Sequence, residues 1–309
     1  MAYLFGPVPS RRLGRSLGVD LVPRKTCPYD CIYCEVGPTT RQTLRRGAFH
    51  TDDILRELES YLARPGAAPD FITLAGSGEP TLNLGLARII AGLKRLTATP
   101  VAVLTNGALL YLPAVRQALA DADVVLPSLD AGRAHTFRII NRPHPSLTLE
   151  RVLDGLEAFR REHRGSIWLE VMLLNGINDG EEDLAALKRA IRKIAPDKVQ
   201  LNTAVRPVLE KLAQPLGPQE LAAIAAYLGP GAEVIAEFRR APEAPVMTRD
   251  ETFLAMLARR PMTARDLAET LGLPLMVVES CLRRLQQAGL IQEDRYQGKK
   301  FYRNQSSLI

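Results

Sequence analysis

At 309 residues, with 46% hydrophobic and 24% charged side chains, the chain has the make-up of an ordinary globular protein and the length of a barrel with an appendage, or of two domains. No apolar run approaches the roughly 20 residues needed to cross a bilayer, and the opening MAYLFGPVPSRR lacks the apolar core and small-residue cleavage site of a secretory signal, so a cytoplasmic location is expected. The net charge of +6 is too small to define a nucleic-acid binder, and four cysteines are too few for a disulfide scaffold.

Apolar, β-branched runs at residues 18–22, 70–75, 101–105, 124–129, 167–173, 198–202 and 233–237 read as strands. Most are continuous rather than alternating, as parallel strands buried on both faces require. Helix-period segments fall between them at 52–63, 84–96, 112–120, 149–163, 181–194 and 219–228. Asp179 precedes Glu182 like a capping box, and Pro218 stands where a first helical turn begins. Repeated strand–helix alternation predicts an α/β fold with a parallel sheet curled into a partial or complete (β/α) barrel, its site at the C-terminal ends of the strands. This domain covers residues 1–240. A stiff linker, 241–248, carries Ala241-Pro242-Glu243-Ala244-Pro245. Residues 249–309 then give three helices (249–259, 263–271, 275–288) and two strands (290–296, 300–303) turning at Gly298, the layout of a small winged helix-turn-helix domain.

Residues 1–50 hold eight Lys/Arg against three Asp/Glu, an excess that suits an anionic substrate or an acidic electron donor. Arg11, Arg12, Arg15, Arg41, Arg45 and Arg46 are the expected rim. In the same stretch Cys27, Cys31 and Cys34 stand three and then two residues apart within Lys25-Thr26-Cys27-Pro28-Tyr29-Asp30-Cys31-Ile32-Tyr33-Cys34-Glu35. Three thiolates so spaced can ligate three irons of a cubane and leave the fourth open. A zinc site is the alternative, but zinc takes four ligands, usually as paired Cys/His sets. Cys281 lies far away in the winged helix and reads as a small core residue.

Polar strand ends follow. Gly76-Ser77-Gly78-Glu79-Pro80 ends one strand and Thr105-Asn106-Gly107 another. Ser128-Leu129-Asp130 puts two polar side chains on one face. Arg138 and Arg142 are candidates for a carboxylate, Arg142 preferred. Glu170-Val171-Met172-Leu173 and Gln200-Leu201-Asn202-Thr203 add inward-facing polar groups, and the last four of these five polar strand ends, on successive strands, point to a site at the strand mouth.

The CxxxCxxC run with an aromatic before its last cysteine resembles the signature of the radical S-adenosylmethionine superfamily. The Gly6-Pro7-Val8-Pro9-Ser10-Arg11-Arg12-Leu13-Gly14 opening and the Gln200–Thr203 segment are similar to its wyosine-synthase-like, tRNA-modification-related branch. The resemblance implies a barrel of the radical SAM type, one 4Fe–4S cluster on Cys27, Cys31 and Cys34, and S-adenosylmethionine chelated to the open iron. It further implies reductive cleavage to methionine and a 5′-deoxyadenosyl radical that abstracts hydrogen from a substrate, and a flavodoxin- or ferredoxin-type electron donor. Tyr33 would pack near the adenine, Glu79 with Gly76, Ser77 and Gly78 would hold the amino group, and Asn106, Ser128, Asp130, Arg142, Met172 and Asn202 would line the cofactor. The chain lacks the second cysteine set that wyosine synthases use, which sets it apart from wyosine synthesis itself. Expected substrates are an RNA base, or a peptide or small metabolite with the winged helix as a docking module. A redox-sensing iron–sulfur transcription regulator is the reading from another class. Arg283, Gln287, Lys299 and Lys300 are the winged-helix side chains placed to meet nucleic acid.

Overall fold

A computed structural model describes residues 3–64, 66, 68–235 and 250–305. The chain opens with an antiparallel hairpin, β1 (Leu4–Ser10) and β2 (Gly14–Asp20). A small parallel pair, β3 (Thr26–Cys27) and β4 (Arg41–Gln42), brackets the cysteine loop. Then come α1 (Thr51–Leu62), β5 (Phe71–Ala75), a 3-10 turn at Pro80–Leu82, α2 (Leu86–Leu96), β6 (Val101–Thr105), α3 (Pro113–Ala118) and β7 (Val124–Pro127). After α4 (Ala134–Ile140) and α5 (Leu149–Glu162) follow β8 (Ser166–Leu173), α6 (Glu181–Ile194), β9 (Lys198–Thr203), α7 (Pro218–Leu228) and β10 (Ala232–Val234).

One eight-stranded sheet runs in the order β1-β2-β5-β6-β7-β8-β9-β10, parallel throughout except for the β1–β2 pair. Strands from β2 onward keep chain order, the curl of a (β/α) barrel. No ladder among the described residues joins β10 to β1, so the barrel is partial. Alternate residues separate two cores. Val101 and Val103 of β6 join Leu17, Ile72 and Leu74 against Ile54, Leu58, Ile89 and Leu93 of the outer helices. Ala102 turns inward and packs with Leu13, Val124, Leu126, Phe71, Leu104 and Trp168. Each fully buried large apolar side chain contributes about 1.5–3 kcal/mol.

Several sequence expectations are refined. The first strand begins earlier than residue 18 and has a partner, β1, concealed by Gly6, Pro7 and Pro9 in LFGPVPS; prolines are tolerated on an edge strand. α4 was not anticipated. The capping box at Asp179 does not form: Gly180 is the N-cap of α6, and Asp179 accepts from Gly176 N–H at 2.9 Å instead. Pro218 does open α7, with Glu220 accepting from the Gly217 N–H at 2.6 Å. Residues 236–240 and the linker at 241–248 lie outside the described residues.

The C-terminal module comprises α8 (Asp250–Arg259), α9 (Ala264–Leu271), α10 (Leu275–Gln287), β11 (Ile291–Tyr296) and β12 (Lys299–Asn304). Thr263 and Asp266 form a capping box for α9, and Gln297 and Gly298 take the positive φ of a two-residue hairpin turn. Its core is Phe253, Met256, Leu257, Leu267, Val278, Leu282, Leu285 and Ile291, and Cys281 packs at the edge of it. The module sits on the hairpin. Val8 of β1 packs into its core, the Arg259 guanidinium lies 4.1 Å over the Phe5 ring, and Tyr296 Oη donates to Ala204 O at 3.1 Å. No helix among the described residues is long and apolar enough to cross a membrane.

Candidate functional site

The cysteine loop lies across the C-terminal ends of β2, β5, β6 and β7. Each thiol receives a donor. Lys25 Nζ donates to Cys34 Sγ at 3.0 Å, Asn106 Nδ2 to Cys27 Sγ at 3.3 Å, and Asn141 Nδ2 to Cys31 Sγ at 3.5 Å. The loop is fixed by backbone: Glu79 N–H donates to Thr26 O, Thr43 N–H to Cys27 O, and Ile32 N–H to Ile140 O. Burial, then the nearby Glu79, pushes the Cys27 thiol up to about 12. Burial and Asp130 push Cys31 higher than a free thiol as well. Such thiols hold their protons until a cation replaces them, and amide donors aimed at sulfur are contacts that tune an iron–sulfur cluster. Three thiols on one loop, each met by a nitrogen donor, fit the ligand set of a multi-iron group.

The β5 end is built for close approach. Gly76 has φ +132°, and a Cβ there would meet Asp20 Oδ1 at 2.1 Å; at Gly78 it would meet Thr26 O at 2.4 Å. Ser77 does more than fill the place of a glycine: its N–H and hydroxyl both donate to Asp20, at 3.1 and 2.7 Å. Glu79 is 2% exposed and accepts from Thr81 N–H, Thr81 Oγ1, Thr105 Oγ1 and the Asn106 N–H. Burial raises its carboxyl despite these four donors. Glu79 thereby sets the position of Asn106, whose amide reaches Cys27.

Asp130 is a second hub. It accepts from Tyr33 Oη at 2.5 Å, Asn141 Nδ2 at 2.7 Å and Met172 N–H at 2.9 Å. Burial lifts its carboxyl to about 6 even so. Ser128 bridges Glu170 through backbone, and its N–H donates to Thr105 O at 3.0 Å. Asn202 accepts from Arg11 at 3.0 Å and donates to Glu170 at 3.0 Å, while Arg12 pairs with Glu170 at 2.5 Å. Burial alone would raise Glu170, but Arg12, Asn202 and Arg11 outweigh it and hold it low.

The structure therefore brings Tyr33, Asp130, Asn106 and Glu79 to the thiols and groups Asn202 with Glu170 and Arg11. It does not bring the Arg142 side chain there. That residue, at φ 43°, pairs with Glu210 at 2.9 Å, and its neighbour Asn141 faces the cysteines. The expected arginine rim also divides. Arg11 and Arg12 turn into the barrel, Arg46 donates to Thr81 O and Asn83 O, and Arg41 and Arg45 are exposed. Lys25, Asp20 and Asn141 were missed because tertiary contacts alone give them their places. Arg206, 3% exposed and 3.6 Å from Glu35, likewise carries no local signal in the sequence.

Comparison with known proteins agrees with this geometry. A family model described as the radical SAM superfamily matches residues 21–187, and one described as the sugar-specific transcriptional regulator TrmB matches residues 250–306. A Brachyspira hyodysenteriae protein described as GTPase Obg is 36% identical over 304 residues, 97% of this chain. The chain spans only 45% of that relative's length. A UPF0026 protein of Helicobacter pylori is 33% identical over 270 residues, covering 86% of this chain and 87% of that protein. Among solved structures, TYW1 with a lysine-pyruvate adduct bound is similar at TM-score 0.52 and 19% identity, over 72% of this chain and 75% of that one, a likeness of fold.

Proposed function

Because the chain belongs to the radical S-adenosylmethionine superfamily, whose shared cofactors are a 4Fe–4S cluster and S-adenosylmethionine, we propose that it abstracts a hydrogen atom from an organic substrate lodged inside the partial barrel. The observation that carries this reading is the delivery of one nitrogen donor to each of Cys27, Cys31 and Cys34 from three separate segments beside the strand mouth.

When bound, the cluster would pass one electron from a flavodoxin- or ferredoxin-type donor to S-adenosylmethionine, giving methionine and a 5′-deoxyadenosyl radical that takes a substrate hydrogen. The protein binds, orients and excludes water. Cys27, Cys31 and Cys34 would hold three irons, and Lys25, Asn106 and Asn141 would stabilise the sulfur charge. Gly76, Ser77 and Gly78 would offer backbone to the cofactor, with Glu79 fixing that strand end. Tyr33 and Met172, tied together through Asp130, would form the adenosine side. Arg142 would serve through its backbone, its carbonyl accepting from Asp30 N–H and Gln42 Nε2, since its side chain is committed to Glu210.

Substrate space is the cavity of about 290 Å³ bounded by Arg11, Arg12, Glu35, Gly76 and the end of α8. That is near the low end of the ~300–1,000 Å³ of small-molecule sites, which favours a small anionic metabolite over a polymer. An RNA base is the second reading, supported by the exposed Arg283, Lys299 and Lys300 on the winged helix. Anaerobic reconstitution, dithionite reduction and chromatography for methionine and 5′-deoxyadenosine test the chemistry; product searches in metabolite and RNA pools separate the substrates. RNA binding whose salt slope falls by about one on removing Lys299 would favour the second reading. DNA retention that depends on the cluster, without cofactor cleavage, would favour a regulator.

A further inference from the structure

α8 ends on Arg259, and Arg260 follows it. Arg259 stacks on Phe5 at one edge of the cavity described above, near Asp20. Arg260 lines the same cavity near Arg206, Glu35 and Arg11. The winged helix thus forms one wall of the barrel's interior.

Among the described residues, the charges in that interior do not balance. Five guanidinium groups meet there, Arg11, Arg12, Arg206, Arg259 and Arg260, and three described carboxylates answer them. Glu170 is taken by Arg12 at 2.5 Å, Glu35 by Arg206 at 3.6 Å, and Asp20 is the acid near Arg259. Arg11 donates to the neutral Asn202 amide at 3.0 Å and makes no ion pair among the described residues. Arg260 has no side-chain hydrogen bond or ion pair among the described residues. Asp266, the remaining acid near it, caps its own helix through the Thr263 N–H at 3.1 Å. Burial, then the charge of Arg206, presses against the charged form of Arg260, and burial, then Arg206, does the same to Arg11. Two half-buried cations with no carboxylate in direct contact among the described residues are costly in the folded state. An anion of charge near −2 relieves both, and a phosphate monoester carries about that charge at neutral pH.

We propose that this cavity binds the phosphate group of a small phosphorylated substrate between Arg11 and Arg260, so that the winged helix supplies part of the substrate site. The inference rests on the reading of this cavity as the substrate space, and it names the substrate class. Arginine suits the task because its planar fork gives paired donors to phosphate oxygens.

The test is calorimetric titration of the full chain with inorganic phosphate at neutral pH, in the absence of reductant. The wild type should bind one phosphate per chain. Arg260→Gln should weaken that binding at least tenfold, and Arg260→Lys should recover most of it. Arg11→Gln should give the same loss, an independent check in case Arg260→Gln disturbs α8. Arg260→Gln should melt no lower than the wild type without phosphate, because it removes an unpaired charge, and its S-adenosylmethionine affinity after reconstitution should match the wild type. Phosphate binding that is absent from the wild type, or equal in Arg260→Gln and wild type, overturns the proposal; so does succinate binding as tightly as phosphate. Because no step requires cofactor cleavage, a protein that binds phosphate through Arg260 but leaves S-adenosylmethionine intact would refute the radical reading alone.

Discussion

Arg11 Nη1 donates to Asn202 Oδ1 at 3.0 Å, joining the turn of the N-terminal hairpin to the end of β9 across 191 residues of chain. Beside it Arg12 reaches Glu170 on β8 at 2.5 Å. Backbone ladders leave the sheet open between β10 and β1 among the described residues. Side chains cross the gap instead, and they do so where the substrate space begins.

Removing one end of that bridge should be more damaging than removing both. Arg12→Ala leaves the Glu170 carboxylate buried, with only Asn202 and the more distant Arg11 beside it, at a cost of about 3 kcal/mol. The double variant Arg12→Ala/Glu170→Gln should regain at least half of that. Urea unfolding measures both, and equal losses in the single and double variants would show the pair to be energetically idle.

Cluster ligation by the first three cysteines predicts a sharp division. After anaerobic reconstitution, Cys27→Ala, Cys31→Ala and Cys34→Ala should each retain less than half the iron of the wild type and cleave no S-adenosylmethionine. Cys281→Ser should match the wild type in both. Wild-type iron in any of the three would reassign the site.

The Asp130 hub should be structural before it is chemical. Asp130→Ala strands the Tyr33 hydroxyl, the Asn141 amide and the Met172 N–H in a buried place. At about 1–3 kcal/mol for each unmet donor, partly relieved by water, the loss should be about 3 kcal/mol. Thermal denaturation of the metal-free protein reads it directly, apart from any effect on the cluster.

Acid sensitivity is expected at His163. Its ring stacks on Phe159 at 4.7 Å, neither ring nitrogen has a partner among the described residues, and burial, then Arg160, lowers its pKa below 6.5. A base depressed in the folded state takes up its proton more readily when unfolded. The stability from neutral His163 is therefore complete above pH 6.5 and declines as pH falls below it. His163→Phe should flatten the stability curve between pH 7 and 5, as followed by denaturant midpoints; an unchanged slope would point to other groups.

How much was legible in the chain depended on how local the cause was. The apolar runs that became β5, β6 and β7 needed only their own composition, and the three cysteines only their spacing. β1 was hidden because Pro7 and Pro9 obscure a strand that pairs on one side alone. Asp179 suited two turns, and the bond back to Gly176 won. The donors to sulfur, Lys25 and Asn141, are not near their partners in any readable pattern; Asn141 comes from a loop 110 residues beyond Cys31. Nothing local marks Arg260, one residue past the end of α8, and only docking of the winged helix gives it an interior address.

The stacking of Arg259 on Phe5 bears on how this architecture can be rearranged. Grafting the C-terminal module onto another barrel, or deleting it to simplify the enzyme, would strip cover from Phe5 and Val8 and unroof the interior at the same stroke. A successful chimera must carry the first ten residues along with the last sixty, so the two ends of the chain are inherited as a unit.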